Sequence, residues 1–145
     1  MNDEFLTGEP AIECKYGENG YQTPAALYSR DTGDALALDR FEVVQGTAPS
    51  YNNLCDIDRM VQTITHIAAG FEKNGFGVPY IAVGVKHGNP CGAAVSNKNP
   101  REAVQKMLEG SLRAIHGGLV TVNFPLNEAL AEVLLTHRMS AENPR

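Results

Sequence analysis

Apolar positions along this chain keep two rhythms that alternate. Ile57, Met60, Val61, Ile64, Ile67, Ala68 and Phe71 recur at spacings of three and four, which lines one face of a helix from about Asp56 to Lys73. Asn53 or Asp56 can cap its start, and Asn74-Gly75 can end it. The run Tyr80-Ile81-Ala82-Val83-Gly84-Val85 is then continuously apolar, as in a buried strand. Asn99-Pro100 supplies a cap and a first-turn proline for a second helix, whose Ala103, Val104, Met107, Leu108 and Leu112 share one stripe. Gly117-Gly118 breaks that pattern, Leu119-Val120-Thr121-Val122 has the β-branched character of a strand, and Leu126, Ala129, Leu130, Val133 and Leu134 mark a third helix. Nearer the N-terminus, Ala25 to Tyr28 and Phe41 to Val44 flank the turn-rich cluster Asp31-Thr32-Gly33-Asp34 and read as two strands joined by a loop.

The order strand, helix, strand, helix, strand, helix predicts an α/β fold with helices packed on the faces of a largely parallel sheet. A chain of 145 residues that is 43% hydrophobic suits one compact domain with its own core. The polar ending Met139 to Arg145 falls where a chain of this class is expected to enter another strand, as in a piece of a longer protein.

Charge and cysteine usage narrow the function classes. A formal net charge of -5, with Lys and Arg scattered, offers no basic field for a phosphate backbone, so nucleic acid is not an expected partner. A small anionic metabolite needs only a local cationic pocket. Cys14, Cys55 and Cys91 form no Cys-x-x-Cys pair and are odd in number, which indicates neither a disulfide framework nor a zinc ribbon and fits a reducing cytoplasm. Met1-Asn2-Asp3-Glu4-Phe5 is acidic and unlike a signal peptide, and no stretch approaches the roughly 18 apolar residues of a membrane span.

The chemistry-bearing segment is Lys86-His87-Gly88-Asn89-Pro90-Cys91-Gly92, directly after the buried strand. Sites of α/β proteins are built at such strand ends. A solvated lysine beside a packed histidine would be unremarkable there. However, Asn89-Pro90-Cys91-Gly92 imposes a tight turn that can bring both side chains into one cleft, with His87 as general base and Lys86 stabilising developing negative charge. A zinc deaminase would need His-x-Glu and Pro-Cys-x-x-Cys. Here Asn89 stands two residues after His87 and Ala94 three after Cys91, so no metal is expected.

Three ordered segments, Lys15-Tyr16-Gly17-Glu18-Asn19 with Gln22, Ser50-Tyr51-Asn52-Asn53 with Asp56, and Lys86 to Gly92, resemble the successive signatures of the AICAR transformylase family. Ala114-Ile115-His116-Gly117-Gly118, followed by an apolar strand and Asn123, is similar to a fourth, and the likeness runs from about residue 13 to residue 135. That family is the formyltransferase part of the bifunctional purine-biosynthesis enzyme. The resemblance implies a three-layer α-β-α, cytidine deaminase-like fold and formyl transfer from 10-formyltetrahydrofolate to the 5-amino group of AICAR, without a metal. It assigns catalysis to Lys86 and His87 and substrate binding to Lys15, Tyr16 and Gly117.

It also implies a homodimer whose sites form at the interface. The chain matches the first half of the transformylase domain, with no room for the IMP cyclohydrolase domain, and residues that the family takes from a second unit have no counterpart within it. Two departures stand out: Lys15 replaces the family's usual arginine, which reduces bidentate phosphate recognition to a point charge, and Ala114-Ile115-His116 replaces Ser-Ala-Phe. They motivate a rival reading, a non-catalytic nucleotide-binding or regulatory module on the same fold.

Overall fold

A computed structural model describes residues 10–29 and 33–137. The chain divides into two compact units, Met1–Cys55 and Asp56–Arg145. The expectations for Met1 to Phe5, for Asp31-Thr32 and for Met139 to Arg145 fall outside the described residues.

In the first unit, β1 (Pro10–Cys14) pairs antiparallel with β2 (Ala25–Tyr28). Phe41 to Val44, expected as the partner of Ala25 to Tyr28, is not a strand, and a short 3-10 turn at Leu38–Arg40 precedes it. Val44 is 95% exposed, so the apolar side chains of that segment had no sheet to bury them. The loop after β1 folds on itself through Gly17 N–H to Gln22 O and Asn19 N–H to Gln22 Oε1, both bonds short of 3 Å at 2.9 and 2.7 Å.

Helix α1 (Tyr51–Lys73) begins earlier than its apolar face predicts. Ser50 caps it: Asn53 N–H donates to Ser50 Oγ, while Asn53 Oδ1 accepts from Ser50 N–H at 3.0 Å, a reciprocal box that satisfies donors otherwise orphaned at a helix start. Asn53 therefore does act at the cap, and Asp56 does not. The far end closes as the sequence predicts, with Gly75 at φ 75° and bonds from Gly75 N–H to Glu72 O and from Phe76 N–H to Phe71 O.

The second unit is a three-stranded sheet in the order β4-β3-β5, with β3 (Tyr80–Lys86) between β4 (Asn89–Ser96) and β5 (Leu119–Val122). Both pairings are antiparallel, which overturns the largely parallel sheet. The physical reason is one strand more than the pattern shows. β4 reads Asn-Pro-Cys-Gly-Ala-Ala-Val-Ser, poor in β-formers, and its first half, Asn89 to Gly92, is the expected tight turn; instead the whole segment folds straight back on β3. This single reversal inverts the direction of everything after it, so the helical crossover joins β4 to β5 rather than β3 to β5.

That crossover is α2 (Pro100–Gly110) followed by α3 (Leu112–Ile115), and α4 (Glu128–Thr136) follows β5. Asn99 caps α2 by accepting from Glu102 N–H, as predicted, whereas Leu112 belongs to α3, because Ser111 ends α2 and caps the next turn. Asn127 caps α4 at Leu130 N–H, leaving Leu126 outside the helix.

Alternation along β3 splits the core. Ala82 faces Ala103, Val104, Met107, Leu108, Ile115, Leu130 and Val133, while Ile81, Val83 and Val85 pack with Met60, Ile57, Ile64 and Ile67 of α1. Helical side chains thus cover β3 on both sides. Two glycines let the helices approach. A Cβ on Gly84 would stand 2.1 Å from Ile115 Cδ1, and one on Gly92 would stand 2.7 Å from the Met107 carbonyl oxygen. Among the described residues, no helix is long and apolar enough to cross a membrane.

Candidate active site

Lys86 ends β3, Asn89 begins β4, and the two are paired, so the chain reverses through only His87 and Gly88. Both have positive φ, 53° and 73°, as two-residue hairpins of natural twist require. Glycine takes this conformation freely. Histidine does not, and His87 is the one non-glycine with positive φ among the described residues. Surroundings that over-determine the turn must hold it there.

Two side chains do so. Gly88 N–H donates to Asp56 Oδ1 at 2.6 Å, and Asn89 Nδ2 donates to the His87 carbonyl at 2.9 Å. The peptide unit between His87 and Gly88 is therefore gripped at both of its polar groups. Asp56 is 7% exposed on α1 and forms no ion pair among the described residues. The His87 ring is exposed and makes no hydrogen bond among them.

Lys86 follows the alternation of β3 and lies on the side of Ala82 and Gly84. Its Nζ donates to the His116 carbonyl at 2.6 Å, in the turn that follows α3. Gly117 sits there at φ 71°, and a Cβ on it would come 3.9 Å from that ammonium, an ordinary contact. Gly118 is the tighter position, since its Cβ would lie 2.7 Å from Val85 O and 3.1 Å from Ile115 O. Any side chain at 118 would push the turn off the end of β3.

Cys91 is the extra residue in the register shift opposite Gly84 and Val85, and its Sγ donates to Gly84 O at 3.5 Å. Burial pushes its thiol up and the negative charge of Asp56 adds to this, against the opposing pull of its own backbone hydrogen bond and of Lys86. A thiol held protonated in this way is structural rather than nucleophilic. Among the described residues no three His, Cys, Asp or Glu side chains converge as metal ligands.

Lys15 and Tyr16 belong to the first unit, where the Lys15 ammonium stands 5.9 Å from the centre of the Tyr16 ring, within reach of a cation–π attraction. Backbone bonds from Lys15 N–H to Pro49 O and from Tyr51 N–H to Tyr16 O, together with Asn52 Nδ2 to Glu18 O at 2.9 Å, tie the first two sequence motifs to each other. In the second unit the other two motifs meet through Lys86 and His116, with Asp56 drawn in through Gly88. The sequence reading missed that role of Asp56. Its signal was present: Asp56 stands one helical turn before the buried Met60, and a carboxylate on a buried face needs a partner.

A family profile described as "AICARFT/IMPCHase bienzyme" matches residues 3–141. The chain belongs to this family. Within the AICARFT/IMPCHase family its relatives include the bifunctional purine biosynthesis protein PurH of Rhodopirellula baltica, 38% identical over 122 residues, which is 84% of this chain and 21% of that protein. PurH of Clostridium perfringens is 34% identical over 123 residues, 85% of this chain and 22% of that protein. PurH of Clostridium acetobutylicum is 32% identical over 124 residues, 86% of this chain and 22% of that protein. The chain thus spans about a fifth of the length of these bienzyme relatives.

Proposed function

We propose that this chain supplies the Lys86–His87 pair for formyl transfer from 10-formyltetrahydrofolate to the 5-amino group of AICAR, in purine nucleotide biosynthesis, as part of a longer chain or an oligomer. Family membership supports this reading, and the observation that carries it is the hairpin tip: an exposed imidazole held in an uncommon backbone conformation next to an anchored ammonium.

The acceptor amine is a poor nucleophile because its lone pair is delocalised into the imidazole and carboxamide. As its nitrogen attacks the formyl carbon, His87 takes the proton, so charge does not build up on nitrogen. The carbonyl oxygen becomes an oxyanion, for which Lys86 offers a cation; one of its three protons is committed to the His116 carbonyl, which leaves two to donate. Collapse breaks the bond between the formyl carbon and N10 of the folate, and the proton held by His87 passes to that nitrogen. The chemistry requires no metal.

Gly117 lets the backbone lie close to the AICAR ring, and Lys15 and Tyr16 recognise its phosphate and its flat base. Helical packing on both sides of β3 supports a three-layer, deaminase-like architecture for the whole domain. The protein works in the cytoplasm as a homodimer, with the remainder of each pocket contributed by residues outside this chain.

The test is a formyl-transfer assay with AICAR and 10-formyltetrahydrofolate on the full-length protein. Lys86→Ala and His87→Ala are each expected to lower kcat by about 10²- to 10⁴-fold, the usual worth of a positioned acid, base or oxyanion donor. Unchanged rates in both variants refute the mechanism. A wild-type protein that binds AICAR and never turns it over points instead to a nucleotide-binding module.

A further inference from the structure

We propose that Asp56 is a positioning residue for His87, acting through the Gly88 amide; this rests on the formyl-transfer reading above. A carboxylate buried on a helix without a counter-ion carries a desolvation cost that a structural acceptor such as asparagine would largely avoid. In this protein that carboxylate meets a single backbone N–H, at 2.6 Å, one residue after His87. Charge-assisted bonds of this kind are short and roughly twice as strong as neutral ones.

The location of the bond matters more than its strength. A peptide unit is planar, so holding its N–H and its C=O fixes the whole plane. Asp56 holds the N–H of the His87–Gly88 unit and Asn89 holds its C=O. With that plane fixed, ψ of His87 is fixed; with Lys86 pinned to the sheet and to His116, φ of His87 is fixed as well. The direction of the His87 Cα–Cβ bond then follows without any contact to the ring itself. The imidazole stays exposed and unbonded, free to meet substrate, while its base cannot swing.

The effect is measurable on the full-length protein with Asp56→Ala, Asp56→Asn and, as a reference, His87→Ala. Asp56→Ala is expected to lower kcat by about 10²-fold, the scale of a misplacement near 1 Å, with KM for AICAR nearly unchanged. Asp56→Asn keeps an oxygen acceptor and should recover most of that loss. The Gly88 amide proton, followed by NMR, should resonate well downfield in the wild type, move part-way back in Asp56→Asn and fully back in Asp56→Ala. A purely structural role would lower Tm and leave kcat of the folded protein intact.

Wild-type kcat in folded Asp56→Ala, beside an inactive His87→Ala, overturns the positioning role alone. If Asp56→Ala does not fold, an Asp56→Asn protein in which the Gly88 resonance moves fully back while kcat stays at the wild-type value overturns it equally. Full activity in His87→Ala removes His87 as the base of formyl transfer, and the positioning role with it; no turnover in the wild type removes the formyl-transfer reading itself.

Discussion

Replacing Gly92 by alanine should destabilise the second unit, although the same exchange normally stabilises a chain. Gly92 pairs with Gly84 in the hairpin, and its φ is not in the left-handed region, so alanine can adopt its backbone. Freed of other effects, the loss of unfolded-state freedom would stabilise by about 0.4–1 kcal/mol. The opposing effect is steric. A Cβ would lie 2.7 Å from the Met107 carbonyl oxygen, where ordinary contact begins near 3.4 Å. That oxygen is main chain in α2, so relief requires moving the helix that carries Ala103, Val104, Met107 and Leu108, all at most 1% exposed. Forced repacking of this kind costs about 1–3 kcal/mol, and a backbone obstacle places it at the upper end. The net is a loss of about 2 kcal/mol, or a Tm lower by roughly 8–16 °C for a unit of this size. Thermal unfolding followed by circular dichroism reads it directly. Gly70→Ala is the matched control: Gly70 lies within α1 with nothing near its Cβ, so alanine there should stabilise by about 0.5–1 kcal/mol. A Gly92→Ala protein as stable as the wild type, beside a stabilised Gly70→Ala, would refute the steric argument.

Two further outcomes follow from side chains that join separate elements. Asn123 Oδ1 accepts from Ile81 N–H at 2.8 Å and its Nδ2 donates to Pro79 O at 2.8 Å, so Asn123→Ala should cost about 1–3 kcal/mol in urea unfolding, and an unchanged midpoint would show that water replaces both bonds without loss. Glu102 accepts from Ser96 Oγ at 2.6 Å and lies 3.0 Å from Lys106 and 3.7 Å from Lys98, and these partners, Ser96 first, lower its carboxyl from 4.5 to about 2. The folded state therefore releases this proton more readily than the unfolded one. Its stabilisation is complete above about pH 4.5 and disappears as pH falls through about 2, so the stability gap between wild type and Glu102→Gln should shrink across that window, and a gap independent of pH would contradict it.

What the sequence made legible was what depends on neighbours along the chain. The apolar face of α1, the Asn99-Pro100 start of α2, the Gly75 stop and the strands at Tyr80 and Leu119 are all written in local spacing and capping chemistry. β4 was not legible, because Pro90, Gly92, Ala93 and Ala94 favour no strand by themselves and become one only by pairing with β3. Phe41 to Val44 erred in the opposite sense, with the residues of a strand and no partner. At the site, Lys86 and His87 could be singled out from their position after a strand. Asp56, 32 residues from Gly88, meets it only through the tertiary fold.

The central position of β3 also sets a timescale. Its amides are shared between two neighbours, and Ile81, Ala82, Val83 and Val85 are fully buried, whereas β4 and β5 each have, among the described residues, one side without a partner strand in this sheet. Hydrogen exchange should therefore be slowest along β3 and faster on the strands beside it. Folding should show the same hierarchy: the β3–β4 hairpin closes over two residues within microseconds, and β5 must then find Ile81 through Asn123, 42 positions away. The turn bearing His87 thus joins the strand that opens last to one that opens sooner.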